Sequence, residues 1–198
     1  MARIEPLKPR DFPPEMRDAL AALRPPNPRH EPLAATDRPK ALHVLGAMAH
    51  HPDLARAYFT FNGHLLLGTT LSERHRELLV MRVAAVRKCG YEWAQHLFVA
   101  RDAGLTDEEI GRIAYGPDAP FWSPLEAAML SATDELIDPG AISETTWQTL
   151  AAELDTQQML DLIFTVCGYD LLARMFSSLQ LTIDDDIAGL MDRYHELF

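Results

Sequence analysis

The stretch LSERHRELLVMRVAAVRKCGYEWAQHLFVARDAGLTDEEI, residues 71–110, decides the fold. Its apolar residues recur three and four apart rather than in alternation, so it reads as helix, break, helix. Ser72 stands where an N-cap would open the first run, over about 73–87. Lys88, Cys89 and Gly90 interrupt the pattern, and a second run covers about 91–103. Gly104 then occupies a C-terminal cap position, and Thr106 with Glu109 has the spacing of a capping box that opens a third helix over 107–114.

Outward from this segment the same period continues. Helices are expected over 40–50, 53–67, 124–137, 144–154, 157–179 and 185–196, with Ser123 and Glu126 forming a second capping box and Asp155 a further cap. No Asn-Gly or Asp-Gly turn separates β-branched runs, which leaves an all-α fold. Cys89-Gly90-Tyr91-Glu92 is echoed by Cys167-Gly168-Tyr169-Asp170, each after an apolar helical run. A duplicated helical hairpin is one reading of that echo, and chance recurrence is the other. The copies differ chemically, because the position of His96 corresponds to Arg174.

Toward the N-terminus the pattern changes. Nine of the 14 prolines lie in residues 1–39, which reads as a Pro-rich arm with one short helix around Glu15 to Arg24, ahead of a single helical domain over 40–198. Such an arm wraps over its own domain or a neighbour, or stays loosely ordered. At 198 residues and 47% apolar content, the chain can bury a core without staples. A formal net charge of −11 repels phosphate backbones, so neither a nucleic acid nor a membrane is expected as a partner, and a small-molecule substrate is. Two cysteines make no disulfide framework, and no secretory or membrane-spanning run is present. The expected location is cytoplasmic.

The chemistry concentrates around residue 90. Cys89, Glu92 and His96 stand at i, i+3 and i+7, which stacks a thiol, a carboxylate and an imidazole on one helical face. In the first turn, Cys89 would feel unpaired amides and the helix dipole, both of which favour the thiolate. His96 could exchange a proton near neutral pH. Glu77, beside Leu78 and Leu79, belongs either to the border of the buried face or to its interior. Tyr91 and Trp93 flank Glu92, and Tyr58 and Phe61 lie on an earlier helix; these four are candidates for an aromatic substrate pocket, although aromatics at this spacing also build cores. The histidines at 43, 50, 51, 64 and 75 form no H-E-x-x-H or E-x-x-H pair, so no metal is expected, and without a Gly-rich phosphate loop no nucleotide cofactor is either.

Glu77, eleven intervening residues, Cys89, then His96 and the trailing AGLTDEEI resemble the carboxymuconolactone decarboxylase and AhpD-like (alkylhydroperoxidase) superfamily. The resemblance implies an AhpD-like helical bundle that assembles as a homo-oligomer, a trimer or hexamer, and needs no cofactor. Its peroxidase branch carries C-x-x-C-x-x-x-H, and here Glu92 occupies the second cysteine's place. A dithiol cycle needs two thiols within disulfide reach, which Glu92 cannot supply and Cys167 could only if the fold brings it beside Cys89. What remains suits a cofactor-free lyase or isomerase acting by proton transfer on a small carboxylated or lactone substrate. In that reading Glu92 and His96 serve as donor and relay, Glu77 tunes the imidazole and Cys89 is a wall or weak donor. A one-cysteine peroxidase centred on Cys89 is the alternative, and a non-catalytic helical oligomer the third.

Overall fold

A computed structural model describes residues 2–32, 39–187 and 189. Among them are nine α-helices and no strand. They are α1 (Met16–Ala21), α2 (Leu42–Met48), α3 (Pro52–Gly63), α4 (Glu73–Val86), α5 (Gly90–Asp102), α6 (Asp107–Ile113), α7 (Pro124–Ile137), α8 (Glu144–Ala151) and α9 (Thr156–Leu179). The expected run over 53–67 is α3 plus a π-helical turn, His64–Gly68. The helix expected over 185–196 falls mostly outside the described residues; Asp185–Ile187 form a turn.

The caps act where their spacing placed them. Ser72 Oγ accepts the His75 amide at the start of α4, and complete capping boxes open α6 at Thr106–Glu109 and α7 at Ser123–Glu126. Asp155 and Gln158 form a third box at the start of α9. Each satisfies two amides that a helix start otherwise leaves unpaired.

Helix α4 is the axis of the bundle, packed against α5, α7 and α9. Every residue from Arg76 to Met81 is buried, so its chain is enclosed nearly all round, and its two charged members, Arg76 and Glu77, enter the core with it. Helix α9, 24 residues and about 36 Å long at 1.5 Å per residue, closes the other side.

The arm lies on its own domain. The Arg3 amide donates to Leu179 O at 2.8 Å, the Leu7 amide to Gly46 O at 3.1 Å, and the Arg29 amide to Leu67 O at 2.6 Å. Met16 and Ala19 of α1 join Met48, Ala49, Ala55 and Phe59 in a small second core. Glycine is required at 46, because a Cβ there would stand 2.4 Å from Leu7 O.

The two copies of the Cys-Gly-Tyr echo have different structures. Lys88, with φ 51°, turns the chain, and Cys89 caps α5. Cys167 and Gly168 lie inside α9, with Gly168 pressed against Leu65 and Phe61. The echo therefore does not repeat a local hairpin. Among the described residues no helix is long and apolar enough to cross a membrane.

Candidate active site

The left-handed turn at Lys88 folds α5 back against α4 and sets His96 opposite Glu77. The His96 Nδ1–H donates to Glu77 Oε2 at 2.8 Å, while Arg76 Nε donates to Oε1, also at 2.8 Å. Arg76 is anchored in turn by Leu66 O at 2.6 Å. Glu77 is fully buried, which resolves its sequence ambiguity in favour of the interior. Burial opposes its ionisation, but His96 and then Arg76 outweigh that and hold its carboxyl below the usual range. An ionised Glu77 thus fixes the imidazole and its tautomer, leaving Nε2 as the ring nitrogen free to meet a ligand.

His96 opens onto a cavity of about 280 Å³. Helix α5 also contributes Tyr91 and Glu92, α3 contributes Tyr58, Phe59 and Asn62, and α9 contributes Tyr169, Leu172 and Phe176. The wall is mostly apolar and aromatic.

Glu92 is the unusual group in it. It is 1% exposed, and neither carboxyl oxygen has a hydrogen-bond partner among the described residues. Burial first, then Asp170 and Glu77, raise its pKa well above the ordinary value, which favours the neutral carboxyl. Two carboxyl groups 15 residues apart in sequence are thus pushed in opposite directions, Glu77 toward ionisation by its partners and Glu92 toward the neutral form by burial.

Cys89 departs from expectation. Burial first and the Glu92 carboxyl second push its thiol up to about 12, against the amides of Glu92 and Tyr91. The helix start does not make a thiolate here, because desolvation outweighs the dipole. Cys89 is buried beside Glu92 and is absent from the cavity wall. The shared face predicted from its spacing therefore divides, with Glu92 and His96 on the cavity and Cys89 behind them. Cys167 is exposed, and both thiols are free.

The four aromatic candidates divide in the same way. Tyr91 and Tyr58 line the cavity, and the Tyr58 hydroxyl donates to Asn62 Oδ1 at 3.5 Å. Trp93 does not: two residues beyond Tyr91 is over half a turn, and it points into the main core, fully buried. Phe61 does not either; it packs edge-on to Phe164, 6.1 Å between ring centroids, and lines a second cavity of about 410 Å³. In that second cavity the His64 Nε2–H donates to Asp161 Oδ1 at 2.7 Å, and the Thr70 amide and hydroxyl hold Oδ2.

Two buried polar residues that bond or pack against α5 escaped the sequence reading. Tyr169, 1% exposed, lies against His96 edge-to-face at 5.0 Å, and its hydroxyl has no partner among the described residues. Asp184 is 3% exposed and accepts from the His43 amide at 2.8 Å, the Tyr91 hydroxyl at 3.0 Å and Gln95 Nε2 at 2.6 Å, tying α2 to α5 across the cavity mouth.

The basic residues near the motif are engaged elsewhere. Arg82 chelates Asp134, Arg87 pairs with Asp170 and Arg101 pairs with Asp107. Among the described residues lining the cavity, Lys40 is the cation, and no cluster of three or more His, Cys, Asp or Glu side chains is placed to hold a metal.

Residues 52–135 match the carboxymuconolactone decarboxylase family. That span includes α3, α4, α5 and the Glu77–His96 pair. The structure of the debrominase Bmp8 superposes with a TM-score of 0.73 at 14% identity over 96% of each chain. A cysteine-to-alanine variant of that debrominase, in complex with 2,3,4-tribromopyrrole, gives 0.72 at 15% identity, again over 96% of each chain. The alkylhydroperoxidase AhpD core of an uncharacterized peroxidase-related protein from Ralstonia eutropha JMP134 gives 0.66 at 21% identity, over 73% of this chain and 78% of that one. These identities carry the all-α, AhpD-like fold and no particular reaction. No curated protein matches the sequence.

Proposed function

We propose, from the premise that residues 52–135 match the carboxymuconolactone decarboxylase family, that the protein is a cofactor-free lyase or isomerase working by proton transfer. Its substrate would be a small carboxylated or lactone compound. The observation that carries this reading is the buried Glu92 carboxyl, without a hydrogen-bond partner among the described residues, on the same mostly apolar cavity as a His96 bonded to Glu77. Environments that separate the pKa values of neighbouring groups mark out an acid and a base. In this assignment Glu92 is the acid that serves the substrate oxygen, and His96 Nε2 moves the proton at carbon. Glu77 and Arg76 are positioning residues that hold the imidazole. Loss of carbon dioxide from a β-keto or β,γ-unsaturated acid and migration of a double bond both pass through an enolate or dienolate, which such a pair serves.

The peroxidase alternative needs a Cys89 thiolate, and the direction of the Cys89 pKa disfavours it. Self-association belongs to the same proposal. Leu160, Phe164 and Leu171 line one side of α9 with about half their surface exposed, a face suited to another copy.

Incubation with β-keto acids and carboxylated lactones in deuterium oxide, followed by proton NMR, tests the reading. Loss of carbon dioxide or deuterium uptake at the α-carbon is expected, reduced about 100-fold or more in His96→Ala and Glu92→Gln and largely retained in Cys89→Ser. Activity abolished by Cys89→Ser and kept by Glu92→Gln would overturn it in favour of thiol chemistry.

A further inference from the structure

Among the described residues, two buried polar groups on the cavity wall have no hydrogen-bond partner: the Glu92 carboxyl and the Tyr169 hydroxyl. Each is 1% exposed. A buried hydroxyl or carboxyl left unpaired costs free energy, so native proteins leave few of them, and those that remain call for a reason. They come from different helices, α5 and α9, yet burial first and the nearby Glu77 after it raise the pKa of each. Tyr169 also stands edge-on to the His96 ring at 5.0 Å. A hydroxyl, a carboxyl and an imidazole thus share the wall of a cavity whose lining is mostly aromatic and aliphatic.

We propose that the Tyr169 hydroxyl and the Glu92 carboxyl form a two-donor site for one ligand oxygen, and that the ligand is a compact ring bearing a carbonyl that can become an enolate. A donor pair that is neutral at rest suits an oxygen that gains charge only during reaction. The cavity has about 280 Å³. At roughly 30 Å³ per water that is space for about nine waters, or one substituted ring such as a lactone or cyclic ketone. The proposal rests on the acid–base reading above and extends it to Tyr169, a catalytic residue outside the segment that carries the family match. In the step itself His96 Nε2 takes a proton from the carbon next to the carbonyl. The C–H electron pair becomes a C=C bond, and the carbonyl π pair moves onto the oxygen between Tyr169 and Glu92. In decarboxylation the C–C pair left by carbon dioxide plays the part of the C–H pair, and a proton is then delivered to carbon. No oxidant, reductant or metal enters the balance.

A phenolate imitates the enolate in shape and charge, and 4-nitrophenol reports its ionised form by visible absorbance. Titration into the full-length protein is expected to give saturable binding of the phenolate. Binding should weaken on the order of tenfold or more in Tyr169→Phe and in Glu92→Leu, since a hydrogen bond to a charged oxygen is removed each time. Binding of 4-nitroanisole, which has the ring but no ionisable oxygen, should stay within about twofold in both variants, which establishes that the cavity is intact. Phenolate binding unchanged in Tyr169→Phe, or absent from the wild type, would overturn the oxygen site. If phenolate binds as expected while deuterium exchange fails with every carbonyl substrate, the acid–base reading falls and the oxygen site stands.

Discussion

Replacing Glu92 by Gln should stabilise the protein more at pH 7 than at pH 5, and the size of that difference follows from the burial of the carboxyl. In the unfolded chain the group titrates near about 4.3. In the fold, burial, Asp170 and Glu77 raise it well above that. Between the two values the folded state holds a proton that the unfolded state has released. Stability contributed by this group is therefore lost as pH rises, at about 1.4 kcal/mol per pH unit. Over the two units from pH 5 to pH 7, a Glu92 that stays protonated in the fold costs about 3 kcal/mol. Glutamine does not titrate, so the mutational difference should shift by that amount in favour of the variant. Any pH-independent cost of the buried amide cancels when the two pH values are compared, as do the titrations of the other groups common to both proteins. Urea denaturation of the two proteins at both pH values, monitored by circular dichroism, measures the shift. A mutational difference equal at pH 5 and pH 7 to within about 0.5 kcal/mol would mean that Glu92 titrates normally, and the neutral acid on the cavity wall would be lost from the argument.

Three further outcomes are expected. At neutral pH an alkylating agent should modify Cys167 in the native protein and reach Cys89 only on unfolding or as pH approaches about 12, as read by mass spectrometry of tryptic peptides; early modification of Cys89 would contradict its burial. Asp184→Ala removes the acceptor shared by His43, Tyr91 and Gln95 and should destabilise by about 2–4 kcal/mol in urea titration, while a loss under about 0.5 kcal/mol would show that these bonds do not hold α2 in place. Gly46→Ala drives a Cβ to within 2.4 Å of Leu7 O, so it should cost about 1–3 kcal/mol and expose the first 32 residues to limited proteolysis; an unchanged cleavage pattern would mean that the arm is held by other contacts.

What the sequence made legible was local. Cap residues and capping boxes at Ser72, Thr106, Ser123 and Asp155 act through bonds spanning three residues, so their spacing alone located the starts of α4, α6, α7 and α9. The pair Glu77 and His96 was also found, by its resemblance to a family pattern, and the structure joins them at 2.8 Å. Tyr169 and Asp184 were not found, because each reaches α5 across more than 70 residues, and the Cys-Gly-Tyr echo that holds Tyr169 pointed to a repeat rather than to a site. Cys89 was misjudged for a related reason. Its place at a helix start can be read from spacing, whereas the desolvation that dominates its thiol comes from the whole bundle. Trp93 and Phe61 show the limit of composition: an aromatic near a site is common, and the half turn that sends it to core or cavity depends on how the helices face one another.

The cavity takes its walls from three separate stretches of chain. His96, Glu92 and Tyr58 come from the segment shared with the family, Leu23 and residues 39–45 from the N-terminal side, and Tyr169, Leu172 and Phe176 from α9. The Glu77–His96 couple and about half of the cavity lining therefore belong to different stretches of the chain. Changes around residues 39–45 can resize the chamber without touching the Glu77–His96 couple, whereas changes in α5 or α9 act on both, because α5 carries His96 and part of the wall and α9 sets Tyr169 against the imidazole. Ligand choice can thus be altered through residues 39–45 apart from the couple, which makes that stretch the place to redesign for a new substrate.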